Sequence, residues 1–450
     1  MPIQVTNPHS IRLPGDFELK DVFIKSPFHK EELSLREIMS ELQLFESIFK
    51  NTLTGFIEIT DTQNLFVNWP IVGYETIEMI FDNPSDEDFV PITKKFRIYT
   101  ITNYVMDGES SAGYRISFIS EEFITNLKVK VSKSYRSQTI SKMVENVFSE
   151  YLGSDKNLMV EETKNLQDYV IPYWSPFYLM NWFSSRALSD TEKGANYFFY
   201  ETLDEFRFVS LEGLIREARK LPDSVHEVYK YRMKNVDPYG QMLPDEYAVA
   251  TEYQVDKTFD IFQNLSLGMY GNRIIAHDIV KRSYQVLDWD YAETYDDYLH
   301  TEENTKVQSR QQVKTMLASE EVQDFQESQK AYQMFLPTHF QLHGNMSVPN
   351  RDTLNHEKVL QSRVSQLQQI NTYKMTVTIS GDFNRRAGDL VYFEMPNTGA
   401  EEGGEITEDL LYSGNYIVLS IRHMIDSTSH ETLLELAKDS YFTTLPSVEV

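Results

Sequence analysis

Apolar residues recur at every second position in the first third of the chain: Leu42 and Leu44, Ile57 and Ile59, then Ile77, Met79 and Phe81. A strand turns successive side chains to opposite faces, so this period predicts half-buried β-strands. Two longer runs, 96–106 and 114–119, flank the stretch 107–113, whose Gly108, Gly113 and polar neighbours suit a hairpin turn. Strands joined by short links predict a small barrel or sandwich.

The period then changes. Ile140, Val144, Val147, Phe148 and Tyr151 share one face of a helix predicted over 138–152, ending near Gly153. Ser175 and Pro176 predict a second helix running towards Leu188, with the serine capping it and the proline at its first position. A hairpin follows, 197–201 with 206–211, turning at Leu203 and Asp204. From 236 to 355 the chain is tyrosine-rich, then acidic from Asp288 to Glu303, then polar over 304–330, where core-forming residues are fewest. The carboxylates of the acidic run are expected in a solvated loop. Leu360, Val364, Leu367 and Ile370 mark one more helix, and strands are predicted at 375–379, 391–395, 417–421 and 434–436.

The order of elements near 75–119 recurs near 388–437, so one module is expected twice. The run 75–81 precedes Pro84, and 389–395 precedes Pro396. Aligning Asp107 with Asp426 sets Met106 against Ile425, Val105 against Met424, Tyr104 against His423 and Ile98 against Ile417.

A chain of 450 residues suggests two to four domains. Its 42 basic and 68 acidic side chains leave a net charge of −26, which repels phosphates and argues against nucleic-acid binding. The absence of cysteine excludes disulfides and thiolate chemistry. No window approaches a membrane span and Met1 to Pro8 do not look like a secretory signal, so no stable membrane insertion is expected. The 27 tyrosines fit strands and protein interfaces.

No catalytic, cofactor-binding or metal-binding residue is assigned. His339 and His343 have helical metal spacing but lack a third ligand and the glutamate of a zinc protease. His423, set against Tyr104 in the repeat, is expected on a barrel surface. Gly403 and Gly404 lack the lysine of a phosphate loop. Tyr169, Tyr173, Trp174, Phe177, Tyr178 and Trp182 are expected to pack a domain junction, although such a cluster could also hold a sugar.

Four stretches together resemble the baseplate hub family of contractile-tailed phages, relatives of the base of the type VI secretion spike: 42–48 with 53–61 and 70–75; 170–177 with Asn181 and Trp182; 271–278; and 379–383 with 387–389, 412–416 and 421–423. The resemblance implies an α+β, mainly β chain: two tail-tube-like antiparallel β-barrel domains, an interposed α/β domain and a long insertion in the second barrel. The expected divisions are 1–120, 121–200 and 201–450, with the insertion at about 236–355. It implies a non-enzymatic homotrimer, without cofactors, whose six barrels form a ring between the tail tube protein and the central spike protein, touched by other baseplate proteins. DNA would pass its acidic channel without specific binding. Its place would be the virion's tail baseplate, after assembly in the host cytoplasm. Competing expectations are a phage cell-wall hydrolase, which needs two carboxyls across one cleft, and a carbohydrate-binding tail adhesin.

Overall fold

The computed structural model describes residues 18–82, 90–107, 111–220, 228–231, 249–278, 282–302, 333–338, 356–397, 408–409, 412–426 and 428–441. The alternating segments form strands. In the first part these are β1 (Glu18–Lys25), β2 (Leu33–Ser34), β3 (Met39–Ser47), β4 (Thr54–Asp61), β5 (Thr76–Asp82), β6 (Ile92–Asp107) and β7 (Ser111–Ser120). The middle holds β8 (Val131–Gln138), β9 (Leu158–Val160), β10 (Gln167–Trp174), β11 (Tyr197–Glu201) and β12 (Phe206–Ser210). The rest holds β13 (Val228–Tyr231), β14 (Val249–Lys257), β15 (Gly271–Asp278), β16 (Ser283–Asp290), β17 (Gln333–Thr338), β18 (Tyr373–Ser380), β19 (Leu390–Glu394), β20 (Gly414–Asp426) and β21 (His430–Lys438).

Thirteen of these strands make one sheet, in the order β19-β13-β14-β18-β21-β20-β3-β4-β7-β6-β5-β1-β2. Because β19 also pairs with β20, the strands from β19 to β20 close into a barrel. Its closing strand, β13, runs parallel to both β14 and β19. The other seven strands curl around Val22, Ile24, Leu42, Ile57, Met79, Phe96 and Ile116, all buried. Here β1 lies antiparallel on β5, and among the described residues no ladder joins β1 or β2 back to β3. Of the two expected tail-tube-like barrels, the described residues thus show the second closed and the first as a curled sheet.

The two groups share a five-strand plan. The order β3-β4-β7-β6-β5 is matched by β14-β18-β21-β20-β19, strand for strand and in the same sequence order. The ladders agree residue by residue: Ile57 opposite Ile116 answers to Val377 opposite Leu434, and Ile77 opposite Phe96 answers to Val391 opposite Tyr416. Each copy carries a β-bulge between Ile98 and Thr100 or between Val418 and Ser420, and another between Met39 and Glu41 or between Ala250 and Glu252. A bulge displaces every later pair, so its recurrence at the same step is strong evidence of one ancestral module. The structure corrects one alignment. Ile98 answers to Val418, not Ile417, because β6 holds an extra residue between Thr102 and Val105, where Asn103 takes a left-handed φ of 56°. Beyond that bulge, Val105 with Met424 and Met106 with Ile425 stand as aligned.

Between the modules, β8 pairs with β10, and β11, β12 and β9 form a small sheet. Their core joins Val131, Ile140, Val144, Phe183, Phe199 and Phe208. The first predicted helix forms as Ile140–Val147, capped by the Thr139 hydroxyl, and continues as a π-helical turn to Leu152. Gly153 ends it at φ 57°, a conformation that costs glycine little. The second spans Pro176–Ser184 and stops short of Leu188. Ser175 makes no side-chain cap; Asn126 Oδ1 takes the Phe177 N–H instead, at 2.7 Å.

Strand β14 lies inside the stretch 236–355 but belongs to the barrel. The described residues between β14 and β18 include the small sheet β16-β15-β17 and the helix His356–Ile370, which packs on it. The acidic run is not a loop in its first part: Asp288 lies on β16 beside Arg273, and Asp290 caps a short helix through the Glu293 N–H, while 298–302 form neither helix nor strand. The stretch 304–330, His339, His343, Gly403 and Gly404 lie outside the described residues.

Candidate functional site

The two modules meet edge to edge. β20 extends past its contact with β19 and pairs antiparallel with β3, from Ser420 opposite Ser47 to Asp426 opposite Glu41, without a break in register. Backbone ladders of this length hold direction and spacing as well as contact.

One end of this joint is locked by buried charge. Glu46, on β3, is 2% exposed. Its carboxylate accepts the N–H of Leu203 at 2.9 Å and that of Ala387. Leu203 sits in the turn between β11 and β12, and Ala387 in the link between β18 and β19, so one side chain ties both modules to the middle region. Desolvation raises the Glu46 carboxyl to about 7, against the pull of Arg386. Arg386 in turn grips Asp204 through two bonds of 2.6 and 2.7 Å and donates to the carbonyl of Phe383. The planar guanidinium suits a carboxylate that must be held in one orientation.

Apolar contact continues the seam. Phe383 packs 5.0 Å from Phe81 in the first module and 4.3 Å from the His430 ring in the second. His423 lies here too, fully buried, with its ring 5.3 Å from Phe383. Its expected surface position is thus corrected: along β20 the inward positions are Ile421, His423 and Ile425, so the strand's alternation turns the imidazole into the core. Burial, together with His430, keeps His423 neutral.

A second anchor sits beside the first module. Lys156 bridges Glu122 at 2.8 Å and Glu201 at 2.6 Å, and Glu201 also accepts the Leu53 N–H. A third fastens the insertion to the barrel. Asp439 pairs with His300 and takes the Thr301 N–H, while Glu302 accepts from the Asn415 N–H at 2.6 Å. Lys438 lies among Tyr373, Tyr416 and Tyr441 and donates to the carbonyls of Tyr412 and Ser413; burial lowers its ammonium to about 7. These anchors escaped sequence reasoning because their partners come from distant segments. A charge inside an alternating apolar run, as at Glu46, was the available signal.

The aromatic cluster divides. Phe177 is buried and Tyr169, Trp174 and Trp182 pack partly against the middle core, whereas Tyr173 and Tyr178 are 71% and 55% exposed. The cluster therefore packs the middle region on one side and faces outward on the other. Among the described residues no group of three histidine, aspartate or glutamate side chains is placed to hold a metal, and no helix is long and apolar enough to cross a membrane. Main-chain bonds thus join the two like modules, and the side chains of Glu46 and Arg386 tie them to the middle region.

No family model matches the chain. It is similar along nearly its whole length to the probable baseplate hub protein gp334 of Vibrio phage KVP40, with 21% identity over 93% of this chain and 95% of that protein. Among solved structures it resembles a tail protein from Neisseria meningitidis MC58, with a TM-score of 0.51 and 8% identity over 95% of this chain and 98% of that one. The 43 kDa tail protein of prophage MuSo2 from Shewanella oneidensis gives a TM-score of 0.51 and 9% identity over 93% and 98%. The chain has the mainly β fold of phage tail proteins, and its resemblance to a probable baseplate hub protein extends over 93% of its length.

Proposed function

We propose that this chain is a structural subunit of a phage tail baseplate hub, acting by binding and not by catalysis. The observation that carries this reading is the repeated five-strand module, with its bulges preserved, joined edge to edge within one chain. Two like modules per subunit let a homotrimer present six similar units. Such a ring meets a threefold central spike protein on one side and a sixfold tail tube protein on the other. Other baseplate proteins bind around it, and DNA slides through the channel during ejection, repelled by the acidic wall. The chain divides into a first module to about residue 120, an α/β region to about 200, and a second module that carries the insertion. It is assembled in the host cytoplasm and works in the virion's baseplate.

Native mass measurement together with electron microscopy of the purified protein tests this. A trimer with a central pore and sixfold pseudo-symmetry is expected. A chain that stays monomeric in the presence of tube and spike proteins overturns the reading.

A further inference from the structure

The outward face of the aromatic cluster runs into two arginines that have no acidic partner. Arg186 follows the helix Pro176–Ser184, and Arg363 reaches the same place from the helix His356–Ile370. Arg363 Nη1 donates to the carbonyls of Ser184 at 2.6 Å and Ala195 at 3.1 Å. Arg186 Nη1 donates to the Trp182 carbonyl at 3.4 Å and to Ser185 Oγ at 2.8 Å. The two guanidiniums thus bracket the end of one helix, where cations suit unpaired carbonyls. Those bonds occupy one nitrogen of each group.

Elsewhere in this chain a guanidinium grips a carboxylate by its Nε and Nη2 edge: Arg386 holds Asp204 in this way, Arg273 holds Asp288 and Arg97 holds Glu121. On Arg186 and Arg363 the same edge bonds to no described residue and is not sealed from solvent. Both go without a carboxylate in a chain that carries 68 acidic side chains. Burial, and the like charge of Arg186, lower the Arg363 guanidinium to about 10. A half-buried cation pair of this kind is stabilised by an anion from outside.

The surroundings suit a protein ligand. Arg186 lies 4.0 Å over the Trp182 ring, and Tyr178, one turn earlier on the same helix face, is exposed. Trp174 meets Tyr178 at 5.0 Å and Trp182 at 5.4 Å. The Tyr169 hydroxyl, buried without a hydrogen-bond partner, lies within reach of the Arg186 charge. Where the β10 ladder breaks between Ile171 and Trp174, Tyr173 takes a left-handed φ of 59° and its ring stands in solvent. A side chain rarely adopts that conformation, and such strain gathers at binding surfaces.

We propose that this face binds an acidic segment of another protein, its carboxylates held by the open edges of Arg186 and Arg363 and its apolar side chains laid on Tyr173, Trp174 and Tyr178. Tryptophan, tyrosine and arginine are the residues that concentrate binding energy at protein interfaces. A sugar would need an open ring face, whereas the face of Trp182 carries Arg186, and Trp174 meets Tyr178 edge to face. Within the hub proposed above, the face would seat a neighbouring baseplate protein.

A fluorescein-labelled octapeptide alternating glutamate and leucine, titrated with the whole chain and followed by anisotropy, tests the site. The net charge of −26 repels a polyanion in general, so saturable binding marks a local cation site. Binding is expected to weaken with added salt, to weaken about tenfold or more in Arg186→Gln, and to be lost when glutamine replaces glutamate in the peptide. Arg363→Lys keeps the charge and a donor for the Ser184 carbonyl but loses the fork, and should also bind more weakly with thermal unfolding unchanged. Tyr178→Ser, which touches neither arginine's bonds, should weaken binding as well. No saturable binding, or equal binding by Arg186→Gln and the parent, overturns the proposal. So does arginine-dependent binding of a glucuronate tetrasaccharide in place of the peptide, which assigns the face to a saccharide, or dissociation of the oligomer in Arg186→Gln, which assigns it to a second copy. A trimer that binds no acidic peptide leaves the hub reading standing, and peptide binding by a chain that stays monomeric leaves this site standing without the ring.

Discussion

Gly55 lies directly opposite Phe118 in the first module, and its counterpart Met375 lies opposite Leu436 in the second. The pair has exchanged volume. A Cβ at Gly55 would come within 2.4 Å of both the Phe118 ring and the Gln43 carbonyl, so the ring occupies the space that a side chain fills in the other copy. The two modules thus keep one backbone plan and fill its core differently.

The first prediction follows from that exchange. Gly55→Ala should destabilise the protein by about 3 kcal/mol, the upper part of the overpacking range. Adding Phe118→Leu should recover part of the loss, because the ring contact is relieved while the backbone contact persists. Urea unfolding of the single and double variants measures both; equal midpoints for the two would refute the volume argument.

Removal of Phe383, which is 3% exposed and joins Phe81 to the His430 ring, should cost about 3 to 5 kcal/mol as Phe383→Ala. Because the side chain spans the seam, amide protection is expected to fall in β5 of one module and in β21 of the other. Protection lost in a single module would show that the seam does not couple them.

Asp204 and Arg386 should prove strongly coupled. Asp204→Ala leaves a guanidinium whose side chain is 8% exposed without its bidentate partner, and should destabilise by roughly 2 kcal/mol. A double-mutant cycle with Arg386→Met measures the interaction, with a coupling of about 1 to 3 kcal/mol expected. Additive effects would mean that the pair is incidental.

Glu46 and Glu212 predict a pH dependence. Burial raises each carboxyl from an ordinary 4.5 to about 7 in the folded protein. Between those values the folded state holds protons that the unfolded chain has released, so the contribution is fully present below pH 4.5 and is lost as pH rises towards 7. For Glu212 the loss is bounded at roughly 3 kcal/mol. Glu212→Gln should therefore gain stability relative to the parent at pH 8 more than at pH 5, as read by thermal unfolding at both values. An unchanged difference across this window would contradict the assigned shift.

The alternation of apolar residues determined most of the strands, because a period of two needs only near neighbours to be recognised. It placed the 96–106 and 114–119 hairpin, the helix around Val144 and the strands of the last part, and it revealed that 75–81 and 389–395 are one element used twice. The order of those elements carried the likeness to baseplate hubs. Tertiary structure decided what local pattern does not encode. The extra residue at Asn103 shifted the repeat alignment by one, since a bulge shows only against a partner strand. His423 turned inward because its neighbours on β20 fixed which face is core. The closing of one module by β13, and the meeting of Glu46, Leu203 and Ala387, depend on residues far apart in the chain, whose contact exists only once the sheet has folded.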